Sequence, residues 1–509
     1  MNVLQRISRP ALLAALVALC AVLAAGGCSP FAPAPRDAAP ASLPGGYVLY
    51  DEWPRDAAPS ADRWWTQLGG QELDGLMRKA LSDDFSIRQA WAKLSQARAE
   101  AVQAGASLTP SLSASGDAAH TRSWSKERQG KETFSLGEQF ELGLSASYEL
   151  DLWGRVRATA EAGNLDAAAS RQDLETAAAT VAESVAKAWI DLLATRAQLT
   201  LLHAQVATNK DILRVQELLL LSTQASALDI LEQQENLASV EAQRPDLVTA
   251  ERTLLNQLAI LTGRAPGTLE IPLGGMLPDL SAPPATGLPA DMLAKRPDVR
   301  STGLSLRAAD WQIAAARADR LPAITLTGSG SYSGTGLSTV FDAWALKLAA
   351  GLVMPILDGG NRAAEVDRLR AVAEERLAAY EQTVLTAVRE VEDALATEQG
   401  QRSLLAALAT QLGLARKAEA EARRRYLNGV DDTFLPYLTA ITAVQSLEMS
   451  MIQERADLLK NRVALYVALG GGWTSDLTPG GLPSQDPASP ANTPVNNDPD
   501  TIDMTRSAS

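Results

Sequence analysis

Histidine and cysteine are nearly missing from this chain, and their scarcity removes whole classes of chemistry. There are two of each in 509 residues. His120 and His203 fall in segments of different expected type, so no His/Cys metal cluster can be assembled from them. Neither lies near a nucleophile elbow, and no phosphate-cradling or dinucleotide-binding glycine motif occurs. The expectation is therefore a protein with no catalytic residue, no metal and no cofactor. Cys20 sits in an N-terminal apolar run expected to be removed, which leaves Cys28 alone and excludes a disulfide framework. Positive charge is also short. The formal net charge is -14, and loss of Arg6 and Arg9 with the leader makes it two units more negative. That argues against a nucleic-acid partner, which needs a basic footprint. A solvated acidic surface and cation-favouring pore walls both fit such a balance.

The N-terminus sets the compartment. Arg6 and Arg9 precede an apolar stretch from Ala11 to Ala25, followed by small residues and Cys28. This order describes a secretory signal peptide over residues 1–27. The run is short for a spanning helix, which needs about 20 residues; an uncleaved anchor helix is the alternative. Leu23-Ala-Ala-Gly-Gly-Cys28 resembles a bacterial lipobox, with Ala25 where an aliphatic residue is more usual. It implies cleavage before Cys28 and lipidation of that residue, palmitate included, with Ser29 favouring the outer membrane. Several acyl chains anchor stably where one does not. Residues 28–62, rich in Pro and Ala, read as a tether, and residues 474–509 as a disordered tail.

The rest of the chain repeats itself. Asp151-Leu-Trp-Gly-Arg155 matches Asp358-Gly-Gly-Asn-Arg362, and the same displacement carries Asp229-Ile-Leu231 onto Pro436-Tyr-Leu438 and Leu261-Thr-Gly263 onto Ala468-Leu-Gly470. A displacement held over so long a span signals duplication, not a solenoid. The expected units are residues 63–265 and 298–473, joined by a linker or equatorial segment at 266–297.

Within each unit the hydrophobic period changes from two to about 3.6. Phe140, Leu142, Leu144, Ala146, Tyr148 and Leu150 alternate with polar or small residues. Trp344, Leu346, Leu348, Leu352 and Met354 repeat the pattern, and weaker partners lie around Leu112–Ala118 and Ile324–Tyr332. Four strands in two hairpins result. A soluble sheet with one buried face would show the same alternation. The strand lengths, however, fit the 9–11 residues of a tilted membrane strand. Long helices behind them would leave little core beneath a soluble sheet. A barrel in lipid must close, and single-chain barrels start at eight strands, so a membrane reading forces oligomerisation.

No proline interrupts Asp151–Arg244 or Ile356–Leu435. Val366, Leu369, Ala373, Leu377, Tyr380, Val384, Val388, Val391 and Leu395 keep a helical step. Arg155–Ser222 and Arg362–Asn428 are each expected to form a helix of roughly 100 Å, at about 1.5 Å per residue. Each turns, at Ser222–Ser226 and at Asn428–Asp432, and a second helix returns. A solvated coiled-coil lipoprotein without a pore is the competing reading of the helices alone.

Two further segments carry a family resemblance. Gly287-Leu-Pro-Ala-Asp-Met-Leu-Ala-Lys-Arg-Pro-Asp-Val-Arg300, continuing to Leu321-Pro-Ala-Ile-Thr-Leu326, is similar to the GLPxxLLxxRPD signature of TolC-family outer-membrane factors. Tyr426-Leu-Asn-Gly-Val-Asp-Asp432 is similar to that family's YxxGVD helix tip, and the chain resembles specifically its lipoprotein (OprM-like, NodT-type) branch. The resemblance implies a mixed α/β membrane protein: a homotrimer whose hairpins close a twelve-stranded β-barrel, continued by a periplasmic α-helical barrel. It also implies a passive exit duct for small molecules, held by outer-membrane lipid, that works with a periplasmic adaptor and an inner-membrane RND-type or ABC-type pump. A channel for type I protein secretion is the alternative within the family.

The same resemblance points to a gate at the helix tips. Tyr426 matches the family's tip tyrosine, and Leu435 falls where a leucine constriction would sit. Gly429 suits a tight turn, and Asp431 and Asp432 suit a helix cap. Leu427 and Thr439 stand where relatives carry an arginine and an aspartate, so the charged lock is expected to be missing. Closure would then rest on apolar contact and on Asp431 and Asp432. Asp229 and Glu232 occupy the equivalent turn of the first copy.

Overall fold

The computed structural model describes residues 30–34, 63–126, 132–272, 276–280, 284, 295–431 and 433–481. The leader, Cys28, Asp432, and most of the tether and tail lie outside the described residues.

Two helices, α1 (Thr66–Asp83) and α2 (Phe85–Gly105), precede the first hairpin, β1 (Ser111–Lys126) and β2 (Glu132–Leu150). Helix α3 (Arg155–Leu221) follows, and α4 (Ala227–Ala242) and α5 (Arg244–Leu261) return from its tip. The second unit opens with α6 (Pro297–Ala318), then β3 (Ala323–Gly334) and β4 (Ala343–Val353). Helix α7 (Asn361–Leu427) and a continuous return, α8 (Leu435–Leu469), complete it. Helices α3 and α7 have 67 residues each, about 100 Å at 1.5 Å per residue. Among the described residues no helix is long and apolar enough to cross a membrane.

The corner from hairpin to long helix rests on an aspartate carboxylate both times, although the N–H groups it accepts differ. At the first corner Asp151 accepts the backbone N–H of Val156 (3.1 Å) and Arg157 (2.9 Å). At the second, Asp358 accepts those of Gly360 (3.0 Å) and Arg362 (3.1 Å). A carboxylate there satisfies helix-end donors and meets the positive end of the helix dipole. The Asp358 carboxyl is held below its ordinary value chiefly by the Arg362 N–H. Trp153 Nε1 donates to the Pro322 carbonyl at 2.8 Å, so this tryptophan ties the first corner to the junction of α6 with β3.

The strands form one antiparallel sheet in the order β1-β2-β3-β4. Leu112↔Ala146, Leu142↔Tyr332 and Tyr332↔Trp344 are directly paired, so even-numbered positions share one face. That face is apolar and bare: Leu346 is 78% and Leu348 92% exposed. The other face carries Ser113, Ser145, Ser329, Thr325 and Lys347. The first hairpin is longer than the alternation suggested, 16 and 19 residues against 12 and 11. Its outer part has His120 and Arg122 at even positions, which hid the strand from a purely apolar test.

The main core lies midway along the long helices. Trp64, Trp65, Leu73 and Met77 pack there against Ala182, Val185, Trp189 and Ile190 of α3 and Leu459 and Val463 of α8. Leu269 and Leu277 of the linker join it, as do Trp473 and Leu477. The polar tail was expected to start at Thr474. Instead Leu477 is buried, and Arg171 donates to the Ser475 and Leu477 carbonyls, so the packed body continues to Gly481. Two apolar side chains outweigh the polar composition around them. Between α7 and α8 lies a fully buried ion pair, in which Arg462 donates to Glu398 at 2.9 Å while Arg402 holds the same carboxylate.

Candidate functional site: the helix tips

The helical hairpins turn at their far ends, and the two tips are built by different means. At the first, the N–H groups of Ser222, Thr223 and Gln224 return to carbonyls of the last turn of α3. Thr223 sits at φ +59°, a left-handed conformation uncommon for a β-branched residue. Ser226 and Asp229 then form a reciprocal capping box: the Ser226 hydroxyl accepts Asp229 N–H (3.2 Å) and Asp229 accepts Ser226 N–H (2.9 Å). Behind the cap lies a buried amide cluster. Gln233 and Asn236 both donate to Asn209 Oδ1, at 3.1 and 2.9 Å. Asn209 donates to the Gln205 carbonyl, and Gln205 reaches the Gln445 carbonyl of α8. Every one of these partners is fixed in direction, so the cluster sets the register of three helices.

The second tip is aromatic. Gly429, at φ +67°, lets the chain reverse, and Val430 N–H returns to the Arg425 carbonyl at 2.9 Å. Tyr426, Phe434 and Tyr437 then close on one another. Ring centroids are 5.3 Å apart for Tyr426–Phe434 and 5.6 Å for Phe434–Tyr437, both edge-to-face. Ile441 completes the buried group, with Ile212 and Leu219 of α3 packed against it. Arg425 and Asp431 form a forked ion pair across the turn, 2.8 Å at its shortest. Arg425 holds the Asp431 carboxyl below its ordinary value.

A polar contact also joins the tips. The Asp229 carboxylate, buried in the first tip, accepts the backbone N–H of Phe434 at 3.3 Å. Burial, and after it the Asp229 charge, pushes the Tyr426 phenol above its ordinary value.

Of the residues expected at a gate, the structure brings Tyr426 and Asp229 to one place and sets Gly429 and Asp431 in the adjoining turn. Glu232 is half-buried one helical turn away from Asp229, in neither cluster. Leu435 begins α8 but is 54% exposed. Asp431, expected to share in closure beside the apolar contacts, is paired with Arg425, two residues before the Leu427 that replaces the expected arginine. Phe434, Tyr437 and Ile441 were not expected. Their spacing of three and four residues was the available signal, masked by Pro436 among them.

The descriptions of known proteins agree with this architecture. The model of the outer membrane efflux protein family matches residues 76–264 and 288–471. The chain belongs to that family. It is 31% identical to the pyoverdine export outer membrane protein OpmQ of Pseudomonas aeruginosa, covering 91% of this chain and 97% of that one. It is 30% identical to the toluene efflux pump outer membrane protein TtgC of Pseudomonas putida, over 88% and 93%. Among solved structures, the outer-membrane channel OprN superimposes with a TM-score of 0.81 at 26% identity, covering 88% of this chain and all of that one. The protein is thus an outer-membrane component of an efflux system, with the fold of its channels.

Membership also gives the Arg296-Pro297-Asp298 signature a physical meaning. Arg296 is buried at the start of α6, donates to Asp298 (2.6 Å) and Glu390 of α7 (2.8 Å), and reaches the Ala468 carbonyl (3.1 Å) at the end of α8. Three helices meet on one guanidinium. In this chain Arg296 is a joint between helices.

Proposed function

We propose that three copies of this chain close a twelve-stranded barrel in the outer membrane and that their helices continue it as a passive tunnel into the periplasm. The carrying observation is the sheet: β1 and β4 each leave an unpaired edge beneath a bare apolar face. In hydrocarbon an open edge strands backbone donors and acceptors. Pairing β4 of one copy with β1 of the next removes every edge, faces the leucines to lipid and turns the serine- and threonine-rich face to the lumen. A duct of this kind needs no energy source of its own. An inner-membrane pump supplies it, and a periplasmic adaptor docks at the tips, where Leu221, Leu228, Leu231, Leu427, Val430 and Leu435 are exposed. Acyl chains on Cys28 add a second hold on the membrane. The cargo is small molecules, a reading supported by relatives named for pyoverdine and toluene.

The gate is assigned to the tips. Asp229 and the Tyr426–Phe434–Tyr437 group hold the two helical hairpins together, and opening parts them, a two-state change biased by adaptor contact. Heat-sensitive trimers in detergent and single-channel conductance in planar bilayers test the duct. A monomer without conductance would sink the reading. For the constriction, Leu435→Ser should raise conductance.

A further inference from the structure

The first hairpin outgrows the second, and the excess has a face of its own. Pairing between β2 and β3 ends at Phe140↔Gly334, and β3–β4 pairing at Ser333↔Ala343. Beyond that line β1 and β2 continue alone, from Ala119↔Gln139 to Lys126↔Glu132. At about 3.4 Å per residue and a tilt of roughly 40°, this ribbon rises about 20 Å above the sheet's common edge. It leaves from the end opposite the helices, hence outside the cell.

A two-stranded ribbon standing alone in water is marginal, and this one is not uniformly polar. Its odd positions, Thr121, Ser123, Ser125, Thr133 and Ser135, continue the lumen face. Its even positions continue the lipid face and pair Arg122 with Leu136 and Trp124 with Phe134. Leu136, Trp124 and Phe134 are 63%, 60% and 52% exposed. The Arg122 guanidinium lies over the Phe134 ring at 4.5 Å and meets no carboxylate among the described residues. Its basic neighbours already have partners: Lys126 lies 3.3 Å from Glu132, and His120 Nδ1 3.5 Å from Glu138.

We infer that this outward ribbon face binds the phosphorylated sugar headgroup of an outer-leaflet glycolipid. The inference rests on the barrel reading given above. The face is continuous with the lipid-facing band and rises into the headgroup layer. Aromatic rings with one apolar face and one wet edge suit that layer and stack on sugar rings, while the Arg122 guanidinium suits a phosphate. A neighbouring copy is the poorer occupant, because its β4 begins at Ala343, at the common edge, and offers no strand to pair with the ribbon.

The test uses the full-length trimer, stripped of lipid in detergent, with bisphosphorylated lipid A added back and bound molecules counted by native mass spectrometry. Lipid A without phosphates and phosphatidylglycerol serve as comparisons. Bisphosphorylated lipid A should be retained, and Arg122→Ala and the pair Trp124→Ala/Phe134→Ala should each weaken retention about tenfold, the equivalent of 1.4 kcal/mol. Ser123→Ala, on the lumen side, should leave it unchanged. Equal retention by all variants overturns the inference, as does equal retention of phosphatidylglycerol. Dissociation of the Trp124→Ala/Phe134→Ala trimer on gels also overturns it, by making the ribbon a contact between subunits. Conductance of each variant keeps the two questions apart: unchanged conductance with unchanged retention rejects the glycolipid site and spares the channel.

Discussion

The two tips close matching helical hairpins, yet they reverse the chain with opposite chemistry. The first uses directional polar groups: a capping box, and buried amides that lock Asn209 to Gln233 and Asn236. The second uses apolar mass: three aromatic rings and Ile441, closed around a glycine turn. Amide networks specify register, and a misaligned partner leaves a buried polar group unpaired. Aromatic clusters tolerate small sliding, since edge-to-face contacts vary smoothly with distance. On this chemistry the first tip is expected to be the rigid member and the second the compliant one. A duct that opens by moving one hairpin against the other needs that asymmetry, and Asp229 marks where the two meet.

Removing the aromatic mass should have the largest effect. Phe434 is fully buried, and Phe→Ala in a core costs about 3–5 kcal/mol. For Phe434→Ala we expect faster amide exchange from Tyr426 to Ile441, little change at Asn209–Asn236, and a conductance increase of several-fold. If exchange rises equally at both tips, the division into rigid and compliant members is wrong.

Asp229 tests the link between them. Asp229→Ala removes the reciprocal cap, worth about 1 kcal/mol, together with the acceptor for Phe434 N–H. Asp229→Asn keeps an oxygen at that position. Conductance should rise clearly in the alanine variant and little in the asparagine one. Matching behaviour of the two would mean that the hydrogen bond to Phe434 does not hold the hairpins. Gly429→Ala should cost about 1 kcal/mol through its positive φ alone, seen as faster exchange of Val430 and no change at the first tip.

Much of this molecule was legible before any coordinates. The bare leucine face and the long helices follow from periods of two and 3.6, because each strand or helix buries or exposes a face as a unit. The repeated Asp151 and Asp358 corners could be aligned because a helix end demands a fixed acceptor. What escaped notice depends on partners far away in sequence. Asp229 meets Phe434 only through tertiary packing, and Glu398 meets Arg462 across two helices. The outer ribbon escaped for another reason: its two faces, one with Arg122 and Trp124, the other with serine and threonine, are amphipathic in a way hydropathy does not score. At the second tip the expected arginine and aspartate positions hold Leu427 and Thr439, and the ion pair of the turn is displaced from both. The arginine that matters stands at position 425.

That arginine supplies the smallest effect and the finest distinction. Arg425 donates to Asp431 on an exposed turn, where such pairs add little and salt screens them. Asp431 is nonetheless held below its ordinary value by this partner. A carboxylate with a depressed folded-state pKa contributes its stability at neutral pH. It loses that contribution only as pH falls through the folded value, below the unperturbed figure of about 3.9. Protection of the Val430 amide should stay flat from pH 7 to about 5 and decline only near and below about 4. In Arg425→Ala it should already be lower at neutral pH, with no change at Asn209 or Gln233. If the first tip loosens in step with the second, then the charge pair reaches across the Asp229 link, and the compliant tip is not independent of the rigid one.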